Sequence, residues 1–374
     1  MVLKHLLIIY RLFLKELITL FRDKIMFFFI IYSFSVAIYI GAAESSTELN
    51  NAPIAFVDED KSVLSQRVMD SFYKPRFMTP KLISYDEIDR GMDAGIYTFV
   101  VIIPSGFEKN ILKEESVEVQ LNIDATRMTQ AGIGAGYISA IITQEVNTFF
   151  HKTTPASPIN LVTSYKYNPN LNSSWFGSIN EVISNIMMFS ILLAGASLMR
   201  EKEHGTIEHL LVMPINAAEI MLSKILSTVL VIIVGVIFSL FIVVEMFLNV
   251  PIAGSLTLFL FSTGLLLFST TSMGIFMATI TKSMPQFGMM FILVVLPLLM
   301  LSGGITPYES MPEILQYVMY LSPTTHFMEV AQAILFRGAG IEIIWKNLVA
   351  IFFIGLLFFI FALLAFKKSL ELKN

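Results

Sequence analysis

The charged residues best placed to do work form one run, Met199-Arg-Glu-Lys-Glu-His-Gly-Thr-Ile-Glu-His-Leu-Leu-Val-Met-Pro-Ile215, with Glu219 and Lys224 close behind. Charge comes first, then Gly205, then a short segment whose Ile207, Leu210 and Leu211 share one helical side before Pro214 stops it. A short amphipathic helix of this kind suits docking into a groove on a soluble partner. A solvated turn is the plainer reading of the same composition. The pairs Glu203-His204 and Glu208-His209 invite a metalloprotease comparison, but their histidines are five residues apart. A zinc-binding HExxH pair needs i, i+4 spacing to share a face, so no metal site is expected. Asp58-Glu-Asp-Lys-Ser62 opens like a calcium loop, yet Val63 replaces the turn Gly and Met69 the closing Glu. A strand end followed by a Ser62 helix cap suits it better.

No Gly-Lys pair occurs anywhere, so the chain has no P-loop to cradle phosphates. There is no cysteine and no G-x-S-x-G elbow. The sequence predicts no enzyme and no bound cofactor, and any ATP-driven work must come from another polypeptide.

A second constellation is Glu181, Ser184, Asn185 and Met188, at i, i+3, i+4 and i+7 in an otherwise apolar helix. Polar groups at membrane depth are costly unless they face protein or water. The stripe therefore reads either as a translocation path or dimer contact, or as solvation just outside the bilayer. Glu245 is the one acid well inside an apolar run. A proton relay is one reading, and snorkelling to the outer surface is the simpler one.

These residues sit in a chain of 374 residues that is 55% hydrophobic and 14% charged, with no cysteine, and its mean hydropathy is +0.72. Soluble domains run at about 45–50% apolar and about 25% charged. The net charge is −4 and no basic block exceeds Lys367-Lys368, which leaves no footprint for nucleic acid. A bilayer core needs roughly 20 helical residues to cross. Six stretches qualify or nearly so: Ile25–Ala43, Ile179–Met199, Ile220–Leu248, Leu256–Ile280, Pro285–Ser302 and Ile344–Phe366. The first begins too late for a cleaved signal peptide. Lys4, Arg11, Lys15, Arg22, Lys24, Arg200, Lys202, Lys224, Lys282, Lys367, Lys368 and Lys373 all fall on one side if both termini are cytoplasmic.

Between spans 1 and 2, Glu44–Gly177 carries half of all charged residues. Strand-like runs Ile54–Val57, Thr98–Ile103 and Val117–Ile123 alternate with helical runs Ser62–Tyr73, Asp86–Asp93, Gly106–Leu112 and Thr126–Phe150. Capping boxes are expected at Ser84-x-x-Glu87 and Ser105-x-x-Glu108. The pattern predicts an α/β domain outside the membrane. Ahead of span 1, Leu6, Leu7, Tyr10, Leu14, Ile18 and Phe21 recur at helical spacing. They predict either an amphipathic helix lying in the membrane interface or an extension of span 1.

The run Arg200–Pro214 resembles the coupling-helix signature of ABC-2-type transport permeases. The likeness extends through Ala52-Pro-Ile-Ala-Phe-Val-Asp-Glu-Asp-Lys-Ser62, Ile123-Asp-Ala-Thr-Arg-Met-Thr-Gln-Ala, Asn168-Pro-Asn-Leu-Asn, Leu301-Ser-Gly-Gly and Ser322-Pro-Thr-Thr-His-Phe. The resemblance implies an α-helical inner-membrane protein. Residues 1–24 would form a connecting helix, 25–43 span 1, 44–178 an extracytoplasmic domain, 179–366 spans 2–6 and 367–374 a tail. It implies a coupling helix over 201–214 and a re-entrant outer segment over 305–337. ATPase subunits using ATP and Mg would grip Glu201, Lys202, Glu203, Gly205, Thr206, Ile207, Glu208, Leu210, Leu211 and Pro214. A second permease copy would meet spans 2 and 5, which line the export route for an amphipathic or apolar cargo. Membrane lipid surrounds such a chain, and a periplasmic adaptor is a further partner the outer domain could engage. A receptor that binds a ligand in the outer domain without transport is the alternative.

Overall fold

The computed structural model describes residues 2–44, 49, 51–113, 115–124, 128–151, 172–206, 215–304, 308 and 311–371. The chain divides into two units, one formed by Met1–Ser45 with Tyr165–Asn374 and the other by Ser46–Ser164.

Among the described residues the first unit holds six helices long and apolar enough to cross a membrane: Lys24–Ala42, Ser174–Glu203, Ala217–Phe247, Leu256–Ile280, Met284–Leu301 and Ile341–Ser369, hereafter spans 1 to 6. They coincide with the six runs legible in the sequence. Span 2 outruns its expected end by a full turn, carrying Arg200–Glu203 within the same helix, and the helix of span 6 continues past Phe366 to Glu371. The N-terminal helix Val2–Arg22 is a separate element, because Asp23 leaves helical geometry (φ −79°, ψ 88°). The Asp23 carboxylate then caps span 1 by accepting the Met26 N–H at 3.1 Å. Span 1 is itself broken into helices Lys24–Ser33 and Val36–Glu44. Span 3 finishes as a π-helix over Ser239–Phe247.

Span 2 is the hub: 78% of its apolar window is buried within the unit, against 11% for span 5. Spans 2 and 4 approach closely through glycine. A Cβ on Gly274 would overlap the Ile191 carbonyl, and one on Gly195 would overlap the Phe287 ring of span 5. Small residues permit such contact where lipid offers no hydrophobic drive for helix association. The Ser190 hydroxyl adds a bond across the same crossing, donating to Thr270 Oγ1 at 2.6 Å. After span 5, helices Glu313–Tyr320 and Pro323–Leu335 occupy the described part of segment 305–337. The second of these is buried along most of its length against spans 4 and 6.

The second unit is a four-stranded sheet flanked by helices. Its strands are β1 (Ile54–Asp58), β2 (Lys81–Leu82), β3 (Phe99–Ile103) and β4 (Gln120–Ile123), in spatial order β2-β1-β3-β4. β1 pairs in parallel with β2 and β3, and β4 runs antiparallel to β3. The central β3 is buried on both faces, which explains its unbroken Phe-Val-Val-Ile-Ile run. Phe99, Val101 and Ile103 join one core with Phe56 and Phe77, while Val100 and Ile102 pack on the other side with Ala55 and Ile88. β2 was not foreseen, since two residues after Pro80 are too few to show alternation.

Helices Val63–Asp70, Glu87–Asp93, Phe107–Leu112 and Met128–His151 complete this unit. Ser62 caps as expected, its hydroxyl accepting the Ser65 N–H at 3.1 Å. At the expected Ser84 box only the returning half forms, with Glu87 accepting the Ser84 N–H at 2.8 Å. The Ser105 box gives way to a reciprocal cap between two helices. Asp60 accepts the Glu108 N–H at 3.0 Å, and Glu108 accepts the Leu64 N–H at 2.9 Å. A carboxylate from a neighbouring loop therefore does the work assigned to Ser105.

Candidate functional site

The N-terminal helix contains one acid, Glu16, and the first half of span 3 one base, Lys224. Both lie inside the fold, where a lone charge would be strongly destabilising. The structure brings them together with Glu201 and Lys15 in a closed ring of alternating charge. Lys224 Nζ lies 3.0 Å from Glu16 Oε1 and 2.8 Å from Glu201 Oε2. Lys15 closes the circuit by pairing with Glu201 and, at 3.4 Å, with Glu16. The Ser197 hydroxyl accepts from Lys224 at 2.8 Å and donates to Glu16 at 2.6 Å. Two carboxylates and two ammonium groups cancel, so the cluster carries no net charge into a low-dielectric site. Burial works against the ionised Glu16, but Lys224, the Ser197 hydroxyl and Lys15 outweigh it and hold its carboxyl at about 2. Burial likewise opposes the Lys15 charge, yet Glu201 and Glu16 raise it above the ordinary lysine value.

Two outlying pairs extend the bracket. Arg200 Nη1 meets Asp23 Oδ2 at 2.5 Å, and His5 Nδ1 lies 2.5 Å from Glu219 Oε1. Glu219 also accepts the Asn216 N–H at 2.7 Å, closing a capping box at the start of span 3.

The next two residues of span 2 fasten the turn between spans 4 and 5. Lys202 Nζ donates to the carbonyls of Ala278, Thr279 and Thr281 at 2.9, 3.0 and 2.6 Å. A helix end leaves such carbonyls without intrahelical partners, and a cation there complements the helix dipole. Glu203 Oε1 accepts the Met284 N–H at 2.6 Å, doing the same for the first turn of span 5. Gly205 then turns the chain with φ +69°, in the left-handed region that closes a helix. Thr206 follows, its hydroxyl donating to the Glu201 carbonyl at 3.2 Å.

Glu201, Lys202 and Glu203 thus belong to the last turn of span 2, not to a separate helix beginning at residue 201, and all three are held by internal contacts. His204 and Thr206 are the exposed side chains at the turn, with Glu203 exposed beside them. Ile207, Glu208, Leu210, Leu211 and Pro214 lie outside the described residues.

The polar stripe of span 2 divides into two parts. Glu181, Ser184 and Met188 are half-buried, with Glu181 beside Gly41 of span 1 and accepting from Asn185 Nδ2 at 3.4 Å. Asn185 points inward, donating from Nδ2 to the Ser33 carbonyl at 2.9 Å. Ser33 is where span 1 breaks, so Asn185 satisfies a carbonyl that the break released. Glu245 is exposed on the π-helical end of span 3.

Glu16, Asp23 and Lys224 were missed as members of this site. The signal was present: each is a lone charge of its sign within an apolar helix or at its joint. What the one-dimensional pattern lacked was the pairing. The N-terminal helix shows the same loss. The stripe Leu6, Leu7, Tyr10, Leu14, Ile18 and Phe21 is exposed throughout. A second face, Ile8, Ile9, Leu12, Phe13 and Leu20 around Glu16, is half-buried, and the helix packs along span 3.

Residues 25–364 match the family described as ABC-2 family transporter protein. The chain is 50% identical over 369 residues to the inner membrane transport permease YhhJ of Escherichia coli K12, covering 98% of this chain and 99% of that protein. It is 26% identical to YbhR of the same organism, named a probable multidrug ABC transporter permease, over 89% of this chain and 91% of that one. YbhS, with the same description, is 29% identical over 72% and 74% of the two chains. With a match running from span 1 into span 6, the chain belongs to the ABC-2 family of transporter proteins.

Proposed function

We propose that this chain is the membrane-spanning permease subunit of an ATP-driven exporter of the inner membrane. Both termini and the turn at Gly205 face the cytoplasm, and Ser46–Ser164 stands on the outer side. The bias of Lys and Arg toward one set of span ends supports that orientation. The ion ring carries the functional reading. It joins the N-terminal helix, span 2 and span 3 immediately before Gly205, while Lys202 and Glu203 join spans 4 and 5 at the same place. A push delivered after Gly205 is therefore delivered to five helices at once.

The partner that pushes is a separate ATPase, gripping the turn and the segment through Pro214. Span 5, apolar yet little buried within one copy, is the surface for a second copy, and the half-buried stripe of span 2 with Glu181, Ser184 and Met188 lies on the export route. The cargo is amphipathic or apolar, as the multidrug description of YbhR and YbhS supports. A receptor reading of the outer unit has no observation in its favour.

The chain has no cysteine, which makes the test direct. His204→Cys and Thr206→Cys variants, co-expressed with the candidate ATPase, should cross-link to it and respond to ATP. If neither variant cross-links while both proteins co-purify, the turn is not the docking point.

A further inference from the structure

Spans 4 and 6 end beside each other, and an open groove of about 540 Å³ lies between their ends. Ile280 and Ala365 contribute apolar lining, and Thr279, Thr281 and Ser369 contribute hydroxyl groups. Three lysines also line it: Lys202, Lys282 and Lys368. Lys202 is half-buried, with its donors directed to the span 4 carbonyls. Lys282 and Lys368 are exposed, and among the described residues neither has a carboxylate partner. The whole chain has a net charge of −4, so this is a local concentration of positive charge in an acidic protein.

Depth identifies the ligand class. Span 4 crosses through Ile280 and span 6 through Ser369. Lys282 follows the last residue of span 4 by two and Lys368 is the last charge of span 6, one residue from its end, the positions at which a spanning helix meets phosphate headgroups. Two exposed lysines on a partly apolar cleft between membrane helices match a phosphodiester with an acyl chain below it. A zwitterionic headgroup brings the same phosphodiester but sets its own ammonium beside it, so it answers the two lysines less well than an anionic one.

We propose that this groove binds one anionic phospholipid. Its phosphate sits between Lys282 and Lys368, and the first part of an acyl chain lies against Ile280 and Ala365. Through Lys202, the same groove adjoins the end of span 2, so lipid occupancy stabilises the arrangement of spans 2, 4 and 6 at that membrane face.

The test titrates the purified full-length chain in detergent with phosphatidylglycerol, phosphatidylcholine or inorganic phosphate, reading bound lipid by native mass spectrometry and stability by thermal unfolding. Wild type should bind and be stabilised by phosphatidylglycerol alone. The Lys282→Gln/Lys368→Gln pair should bind it roughly thirtyfold more weakly. Lys282→Arg/Lys368→Arg should retain binding and so show that the fold survives substitution. A Lys4→Gln/Arg11→Gln pair removes equal charge from the exposed side of the N-terminal helix and should bind as wild type does. Equal weakening in both Gln pairs would mean diffuse attraction and overturn the site. So would binding of inorganic phosphate alone as tight as that of the lipid. Unchanged lipid affinity with lost ATPase co-purification would make the groove a protein contact instead.

Discussion

Lys224 Nζ lies 2.8 Å from Glu201 Oε2, joining the first turns of span 3 to the last turn of span 2. Lys224 is only 2% exposed, so the pair is shielded from solvent and salt. Glu16 holds the same ammonium from the N-terminal helix, and Lys15 balances the second carboxylate. The charges at the end of span 2 are thereby structural first. They hold together the helices that a docking partner would have to move.

Lys224→Met should destabilise the protein by about 3–5 kcal/mol, because it strands two buried carboxylates on one half-exposed lysine. Thermal unfolding in detergent measures this. Adding Glu16→Gln to that variant should recover part of the loss, and a double variant no more stable than the single would argue against a coupled ring.

Acid should loosen the N-terminal helix in a defined window. The folded Glu16 pKa of about 2 lies below its ordinary value of 4.5. Its stabilisation is therefore complete above 4.5 and is lost as pH falls toward 2, by on the order of 3 kcal/mol in all. Unfolding temperature followed from pH 5 to pH 3 should fall in wild type and fall less steeply in Glu16→Gln.

Glu203→Ala should separate coupling from stability. Its carboxylate is exposed and caps span 5 with one bond, so its loss should cost about 1 kcal/mol. ATP turnover by the co-purified complex should lose its response to cargo, and Glu203→Gln, which keeps the acceptor, should retain part of it. Gly205→Ala strains a left-handed position by about 1–2 kcal/mol and meets no steric obstacle among the described residues. Its effect should therefore appear as altered turn geometry in cross-linking rather than as loss of expression.

Asn185→Leu should lower the unfolding temperature, since it leaves the Ser33 carbonyl unsatisfied in a buried site at a cost of about 1–3 kcal/mol. Ser184→Ala, one residue away and half-buried, should leave stability unchanged. A transport defect in Ser184→Ala with normal stability would assign that face to the route.

Glu245→Gln should leave transport largely intact. The carboxylate is exposed near the end of span 3 and among the described residues makes no ion pair. Abolished transport in a stable Glu245→Gln protein would instead make it a proton relay.

Composition and hydropathy were sufficient for six spans, because crossing a bilayer demands about twenty apolar residues in a row and nothing else in the chain has that property. The α/β unit was legible for a related reason: Phe99–Ile103, as a buried parallel strand, writes its burial into consecutive residues. Periodicity also identified the N-terminal helix, but it marked the exposed stripe and passed over the face that packs. Hydropathy averages over a window and has no term for a partner 200 residues away. It could not place Glu16 beside Lys224, nor see that Arg200–Glu203 would remain helical because each charge finds an internal partner. Span boundaries follow from local solvation and are written locally. The ring, the Asn185 bond to Ser33 and the placing of Lys282 and Lys368 on one groove arise only where separate helices meet, and that meeting is a property of packing.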